Sequence, residues 1–174
     1  MGLSEELSNV RVRVTSPDGR IEGSMRGMGA AAFRFLYDSY ETYYERSDPS
    51  VLEHQLSRGA TLLVVAYKKA RWELLEPRGF RKYGQSYPAP SMRHEKYLKL
   101  GSTLVAKGQS ADGRVRAASR GMFDFKLRLA SDIFRAYDQA AFLAAANMAM
   151  VNLREDHAAK LAQLRHDLRH GGDV

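Results

Sequence analysis

The sequence predicts an α+β fold in which one unit is used twice and closes on itself as an intramolecular pseudo-dimer. That unit is a three-stranded antiparallel meander followed by a long helix. Two observations carry the expectation. The first is an echo: "SPDGRIEGSMRGM" at residues 16–28 returns as "SADGRVRAASRGM" at residues 110–122. Extended at the same offset of 94 without gaps, it gives ten identities over the thirty positions 16–45, among them Arg34/Arg128, Asp38/Asp132 and Tyr43/Tyr137. The second is a helical stripe at Leu52, Leu56, Gly59, Leu63, Tyr67, Ala70 and Leu74. It keeps its phase under the shift, as Ala146, Met150, Leu153, His157, Leu161, Leu164 and Leu168. Self-similarity at fixed spacing marks repeated structural units, and spacings of three and four mark amphipathic helices. The predicted repeats are 9–76 and 103–170, with 77–102 as a linker leading into the next strand.

Within the first repeat, "VRVRVTS" alternates Val10, Val12 and Val14 against Arg11 and Arg13, the pattern of a half-buried strand. "PDG" supplies turn chemistry, with Gly19 free to take positive φ. The chain then returns with Ile21, Gly23 and Met25 on one face, and "AFRFLY" predicts a third strand with Phe33, Phe35 and Tyr37 inward. A tyrosine-rich loop follows. Ser47 or Asp48 then caps a helix with Pro49 in its first turn, ending near Glu76 where Pro77 stops it. The second repeat predicts strands near 99–107, 114–120 and 123–130 and a helix from about Asp138 to His170. Helices of roughly thirty residues span about 45 Å, more than a small sheet needs, so their surplus length predicts packing on each other or a homo-oligomer.

Composition narrows the class. The 174 residues carry 44% hydrophobic side chains, as folded globular chains do. No run of about eighteen apolar residues is present, so no membrane span is expected. The acidic start "MGLSEELSNV" has no apolar core and does not read as a signal peptide. Gly2 opens a myristoylation-like start that fails at Glu6. Cysteine is absent, which excludes disulfides and thiolate chemistry and fits a cytoplasmic protein. The net charge is +7, and +6 of it falls between Lys68 and Lys99, where nine cations face Glu73, Glu76 and Glu95.

The piece "VRVRVTSPDGRIEG", with Val10, Val12 and Val14, then Gly19, then Ile21, resembles the YbaB/EbfC family of small bacterial nucleoid-associated proteins. The second copy matches through Leu104, Gly113 and Val115. The resemblance implies an α-β-β-β-α unit paired about a two-fold axis, with protruding helices and a DNA-binding role. Actinobacterial relatives are also associated with type VII secretion. Two departures stand beside it. The first repeat leaves no room for the family's long N-terminal helix, and the family's two-fold relates separate chains. No functional residue is carried over.

No enzymatic signature appears: there is no P-loop, dinucleotide fingerprint or nucleophile elbow. "RGMGA" around Gly27 and Gly29 reads as a tight bend between strands. His166 and His170 stand one helical turn apart without a carboxylate partner, so neither a metal nor a cofactor is expected. His157 takes the slot of Leu63 and reads as a helix-interface residue. The arginines shared by both copies (Arg20, Arg26, Arg34 and their counterparts) lie opposite the apolar faces and read as structural, paired with carboxylates.

The strongest candidate site is the basic middle of the chain: Lys68, Lys69, Arg71, Arg78, Arg81, Lys82, Arg93, Lys96 and Lys99, interleaved with aromatics such as Tyr83. Cations bind phosphate with release of counterions, and aromatics stack on bases. The leading expectation is a non-enzymatic DNA-binding protein of low sequence specificity. The alternative is a protein-interaction module, a chaperone or adaptor of a secretion system, reading its partner through Tyr40, Tyr43, Tyr44, Phe134 and Tyr137. Packing between sheet and helix is the plainer reading of that aromatic cluster.

Overall fold

A computed structural model describes residues 2–27, 29–82 and 85–170. The chain runs α1 (Leu3–Asn9), β1 (Arg11–Thr15), β2 (Ile21–Arg26), β3 (Ala32–Phe35), α2 (Ser39–Glu45) and α3 (Pro49–Leu75). After a 3₁₀ turn at Glu76–Arg78 come α4 (Met92–Thr103), β4 (Val105–Gln109), β5 (Val115–Arg120), β6 (Asp124–Leu129), α5 (Ile133–Ala136) and α6 (Gln139–His170). Two antiparallel sheets result, ordered β1-β2-β3 and β4-β5-β6. Their registers coincide under the 94-residue shift. Arg11 pairs with Arg26 as Val105 pairs with Arg120, and Ile21 with Phe35 as Val115 with Leu129.

The turn between the first two strands shows why the echo persists. Ser16 Oγ donates to Asp18 and accepts from the Ile21 N–H at 3.0 Å, while Gly19 takes φ 74°. Ser110, Asp112, Val115 and Gly113 (φ 71°) repeat the arrangement. Such a side-chain–backbone turn needs a short polar residue at each position and a residue tolerant of positive φ. Gly27 and Gly121 also match, each left-handed and pressed against the backbone of the preceding helix, at Ser8 and Ser102. A Cβ there would lie 2.9 Å and 2.3 Å from the two carbonyl oxygens.

Each long helix bridges both sheets. α3 packs on β1 and β2 and reaches across to β6. There Glu53, Ser57 and Thr61, one turn apart, accept the outward N–H groups of Leu129, Leu127 and Phe125. α6 packs on β4 and β5 and reaches β3, where Asn147 Oδ1 accepts from the Phe33 N–H at 2.8 Å. Along β4, Asn152 donates to the Gln109 carbonyl, Asp156 accepts from the Lys107 N–H, and Lys160 donates to the Val105 carbonyl. Sheet edges otherwise present unpaired backbone groups; on β6 and β4 helix side chains bond to them. One core joins the halves, with Ile21, Phe33, Leu56 and Leu63 continuous with Val115, Leu127, Phe142 and Leu153.

Several expectations are corrected. Tyr37 does not point inward: it is 91% exposed at φ 57°, past the end of β3. The tyrosine-rich loop is the helix α2, whose Tyr40 and Tyr43 are buried. Residues 99–103 belong to α4, not to a strand, and of the 77–102 linker only 79–82 and 85–91, among the described residues, lack helix. Ser91 starts α4 by accepting the His94 N–H, and Tyr97 and Gly101 face α6. The first half likewise has an N-terminal helix, seven residues long, before β1. Asp48 rather than Ser47 caps α3, accepting from the Ser50 N–H. Leu56, Leu63 and Met150 are buried, but Leu74, Leu161 and Leu164 are half-buried, because the distal turns extend past the sheets. No helix among the described residues is long and apolar enough to cross a membrane.

Candidate nucleic-acid interface

The basic middle of the chain lands in three places. Lys68, Lys69 and Arg71 ride the distal half of α3, Arg78, Arg81 and Lys82 follow it, and Arg93, Lys96 and Lys99 lie on α4. Lys69, Arg71, Arg81, Arg93, Lys96 and Lys99 are exposed. Tyr83 lies outside the described residues.

The structure brings Lys68, Arg71 and Lys99 to one cleft of about 720 Å³, between α3, α4, α6 and the β5–β6 turn. Lys68 is its best-defined cation. Its Nζ donates to the Met122 carbonyl at 3.3 Å and sits 3.0 Å from the Phe123 ring centroid. Burial pushes its ammonium down to about 8. His157 shares the cleft, and burial, then the charges of Lys68 and Arg154, hold its imidazole below the usual histidine value. That fits its reading as a helix-interface residue near cations.

Three aromatics of this region, Trp72, Tyr87 and Tyr97, are already engaged. Lys82 Nζ stands 4.3 Å from the Trp72 ring, the Arg81 guanidinium 5.0 Å from Tyr87 and that of Arg165 5.4 Å from Tyr97. Arg78 bonds Glu6 at 2.7 Å and the Leu74 carbonyl. Cation–π pairs of this kind tie the segment down and leave the charge facing outward. The arrangement suits phosphate contact rather than base stacking.

A second basic surface was missed by the sequence reading. Strand alternation puts Lys107, Arg116, Arg120, Lys126 and Arg128 on the outer face of the second sheet, opposed only by Asp124. Four of them, Lys107, Arg116, Lys126 and Arg128, line a hollow of about 570 Å³. Arg128 pairs with Glu53 at 2.9 Å. Among the described residues no carboxylate lies within ion-pair distance of Lys107, Arg116, Arg120 or Lys126. The first sheet's outer face carries Arg11, Arg13, Arg26 and Arg34, with Arg34 forked onto Glu22 at 2.8 and 3.1 Å. A count along the chain hid these faces, because the balancing acids sit on other elements. The signal was present in the period-two spacing of cations within each predicted strand.

The partner surface expected around the tyrosines is largely internal. Tyr40 and Phe134 are buried with ring centroids 6.0 Å apart, and the Tyr40 hydroxyl donates to the Tyr137 carbonyl across the two halves. Tyr43 donates to Asp18, as Tyr137 does to Asp112. Only Tyr44, 52% exposed against the edge of Phe134, keeps a substantial outward face. Tyr40, Tyr44 and Phe134 meet across the seam between halves, where burial of aromatic area is favourable, while the Tyr43 and Tyr137 phenols bond the turn carboxylates of their own halves. His166 and His170 stack at 4.7 Å on the end of α6. Among the described residues no group of three or more His, Asp or Glu gathers as a metal site would require. Compared with known families, curated proteins and solved structures, the chain matches none.

Proposed function

We propose that this protein binds DNA through the phosphate backbone with low sequence specificity, as a non-enzymatic protein of the nucleoid-associated kind in a bacterial cytoplasm. The observation that carries the reading is the unpaired cation set on the outer face of β4-β5-β6. At the β5–β6 turn it meets the cleft holding Lys68, Arg71 and Lys99. Phosphate contacts position a protein on DNA without reading sequence, and a face dominated by Lys and Arg has that character. The shared registers and turns further support a tandem duplication, the two halves standing in for the two chains of a dimer.

The test is a DNA-binding titration over a range of salt. Affinity for a random-sequence duplex should fall steeply as salt rises, with a slope set by the number of phosphates engaged. Neutralising Lys107, Arg116 and Lys126 together should lower that slope by up to about three units, and so should neutralising Arg78, Arg81 and Lys82. A wild-type chain that binds no DNA even at low salt would end this reading.

A further inference from the structure

The two sheets open with equivalent edge strands, β1 and β4, and the fold treats them differently. Gly27 N–H to Val10 and Ser16 N–H to Ile21 close the ladder of β1 onto β2, so Arg11, Arg13 and Thr15 point their backbone groups outward. In β4 the matching residues are Val105, Lys107 and Gln109, and α6 bonds one backbone group of each through Lys160, Asp156 and Asn152. The α3 residues 94 positions earlier are Ala66, Leu62 and Arg58. Neither alanine nor leucine can bond a backbone group. Among the described residues nothing hydrogen-bonds the outward groups of Arg11, Arg13 and Thr15.

The packing beside β1 is open to match. Gly108 lets the α6 backbone press onto β4, and its counterpart on β1 is Val14, whose side chain stands where the glycine leaves room. Val12 and Val14 face the core yet are only half-buried, whereas Ala106, the counterpart of Val12, is fully buried. On α3, Leu62 and Val65 are 38% and 53% exposed on the side equivalent to the one that plugs β4. A strand edge, two half-covered valines and two exposed aliphatic side chains therefore frame one slot.

Charge identifies the occupant. Arg11, Arg13 and Arg58 are exposed around the slot, and the one acid on the adjoining face, Glu22, is held by Arg34. A second copy pairing β1 against β1 would set Arg13 opposite Arg13, and like charges directly opposite destabilise a sheet. We propose that the β1 edge is a docking site for an extended acidic segment of another protein. That segment adds a fourth strand, its apolar side chains covering Val12, Val14 and Leu62 and its carboxylates meeting Arg11 and Arg13. Strand addition draws affinity from main-chain bonds and specificity from alternate side chains. It is independent of DNA binding, since a duplex offers no strand to pair.

The test is amide hydrogen exchange on the full chain, with a peptide alternating valine and glutamate, about six residues long like an ordinary strand. Without peptide, the amides of Arg11, Arg13 and Thr15 should exchange faster than that of Lys107. Peptide at about ten times its dissociation constant should slow them roughly tenfold and leave Lys107 unchanged. Leu62→Asp with Ala66→Lys, which copies the plug of the second half, should abolish the effect. Arg13→Pro should also abolish it, by removing an outward donor that the β1–β2 ladder does not use. The proposal is overturned if Arg13 is already as slow as Lys107 without peptide, or if both variants still bind. A valine–lysine peptide protecting equally well would also overturn it. Equal protection by a DNA duplex would give this edge to the nucleic-acid surface, and protection rising with protein concentration alone would give it to a second copy.

Discussion

Tyr43 and Tyr137 are identical between the halves for a hydrogen bond that sequence spacing cannot display. Each phenol donates to the turn aspartate 25 residues before it. Burial raises the Asp18 carboxyl, but hydrogen bonds from Ser16, Tyr43 and the Arg20 N–H, with the Arg20 charge, outweigh it and leave the group below its ordinary value. Burial and the bond to Asp18 push the Tyr43 phenol well above its ordinary value. Tyr43→Phe should cost about 1.5–3 kcal/mol, the range for a bond to a charged group, read by chemical denaturation. Because the folded-state value of Asp18 lies below the unfolded one, the stability it lends is present above about pH 4. It is lost as pH falls through the lower folded value, so Asp18→Asn should flatten the acid limb of a stability profile. Lys68 gives the opposite kind of dependence. Its folded value of about 8 lies below the unfolded one, so this group adds stability as pH rises between about 8 and 10.4. Over the same rise it loses its charge. The salt slope for DNA should therefore shrink between about pH 7 and pH 9 in the wild type, and less so in Lys68→Met.

At the scale of elements, helix and strand exchange bulk between the halves. Where the first half has Val14 and Gly59, the second has Gly108 and Leu153. A Cβ on Gly108 would lie 2.2 Å from the Ala149 carbonyl oxygen and from the Leu153 nitrogen, both main-chain atoms that cannot rotate away. Gly108→Ala should thus push α6 off β4 and cost about 1–3 kcal/mol or more, with the Lys107 amide losing protection from exchange. Ser57→Ala leaves the Leu127 N–H, a part-buried donor, without its acceptor at 2.9 Å. It should cost about 1–3 kcal/mol by the same unfolding measurement. Leu63→Ala, at a position with no exposure, should cost about 2–5 kcal/mol. These three changes probe the same helices through backbone approach, edge satisfaction and core filling.

At the scale of the molecule, each half covers part of the other. β6 is covered by α3 and β3 by α6, and Tyr40 closes onto Phe134 and Phe142 across the boundary. A fragment of residues 1–76 keeps its local turns and helix propensity but loses the partner surfaces of Phe33, Leu56 and Leu63. It should show no cooperative thermal transition, and adding the fragment 77–174 should restore one. Independent folding of 1–76 would mean that the shared core is not what holds the halves.

Local chemistry alone determined the turn at Asp18 and Gly19, the strand faces of Val12, Ile21 and Phe33, and the span of α3 from a cap at Ser47 or Asp48 to Pro77. Each of those signals acts within a few residues, through φ preferences, capping or side-chain period, so each is written where it operates. Tertiary structure alone decided what the exposed and edge groups do. Arg128 meets Glu53 from another half, Lys68 settles over Phe123, and α4 forms over a stretch that read as linker and strand start, with Tyr97 and Gly101 against α6. The basic face of the second sheet arose the same way: its cations are scattered from Lys107 to Arg128 and become one surface only when β4, β5 and β6 take their register. A pairing between residues far apart in the chain leaves no local pattern, because the energy that selects it belongs to the contact and not to either residue.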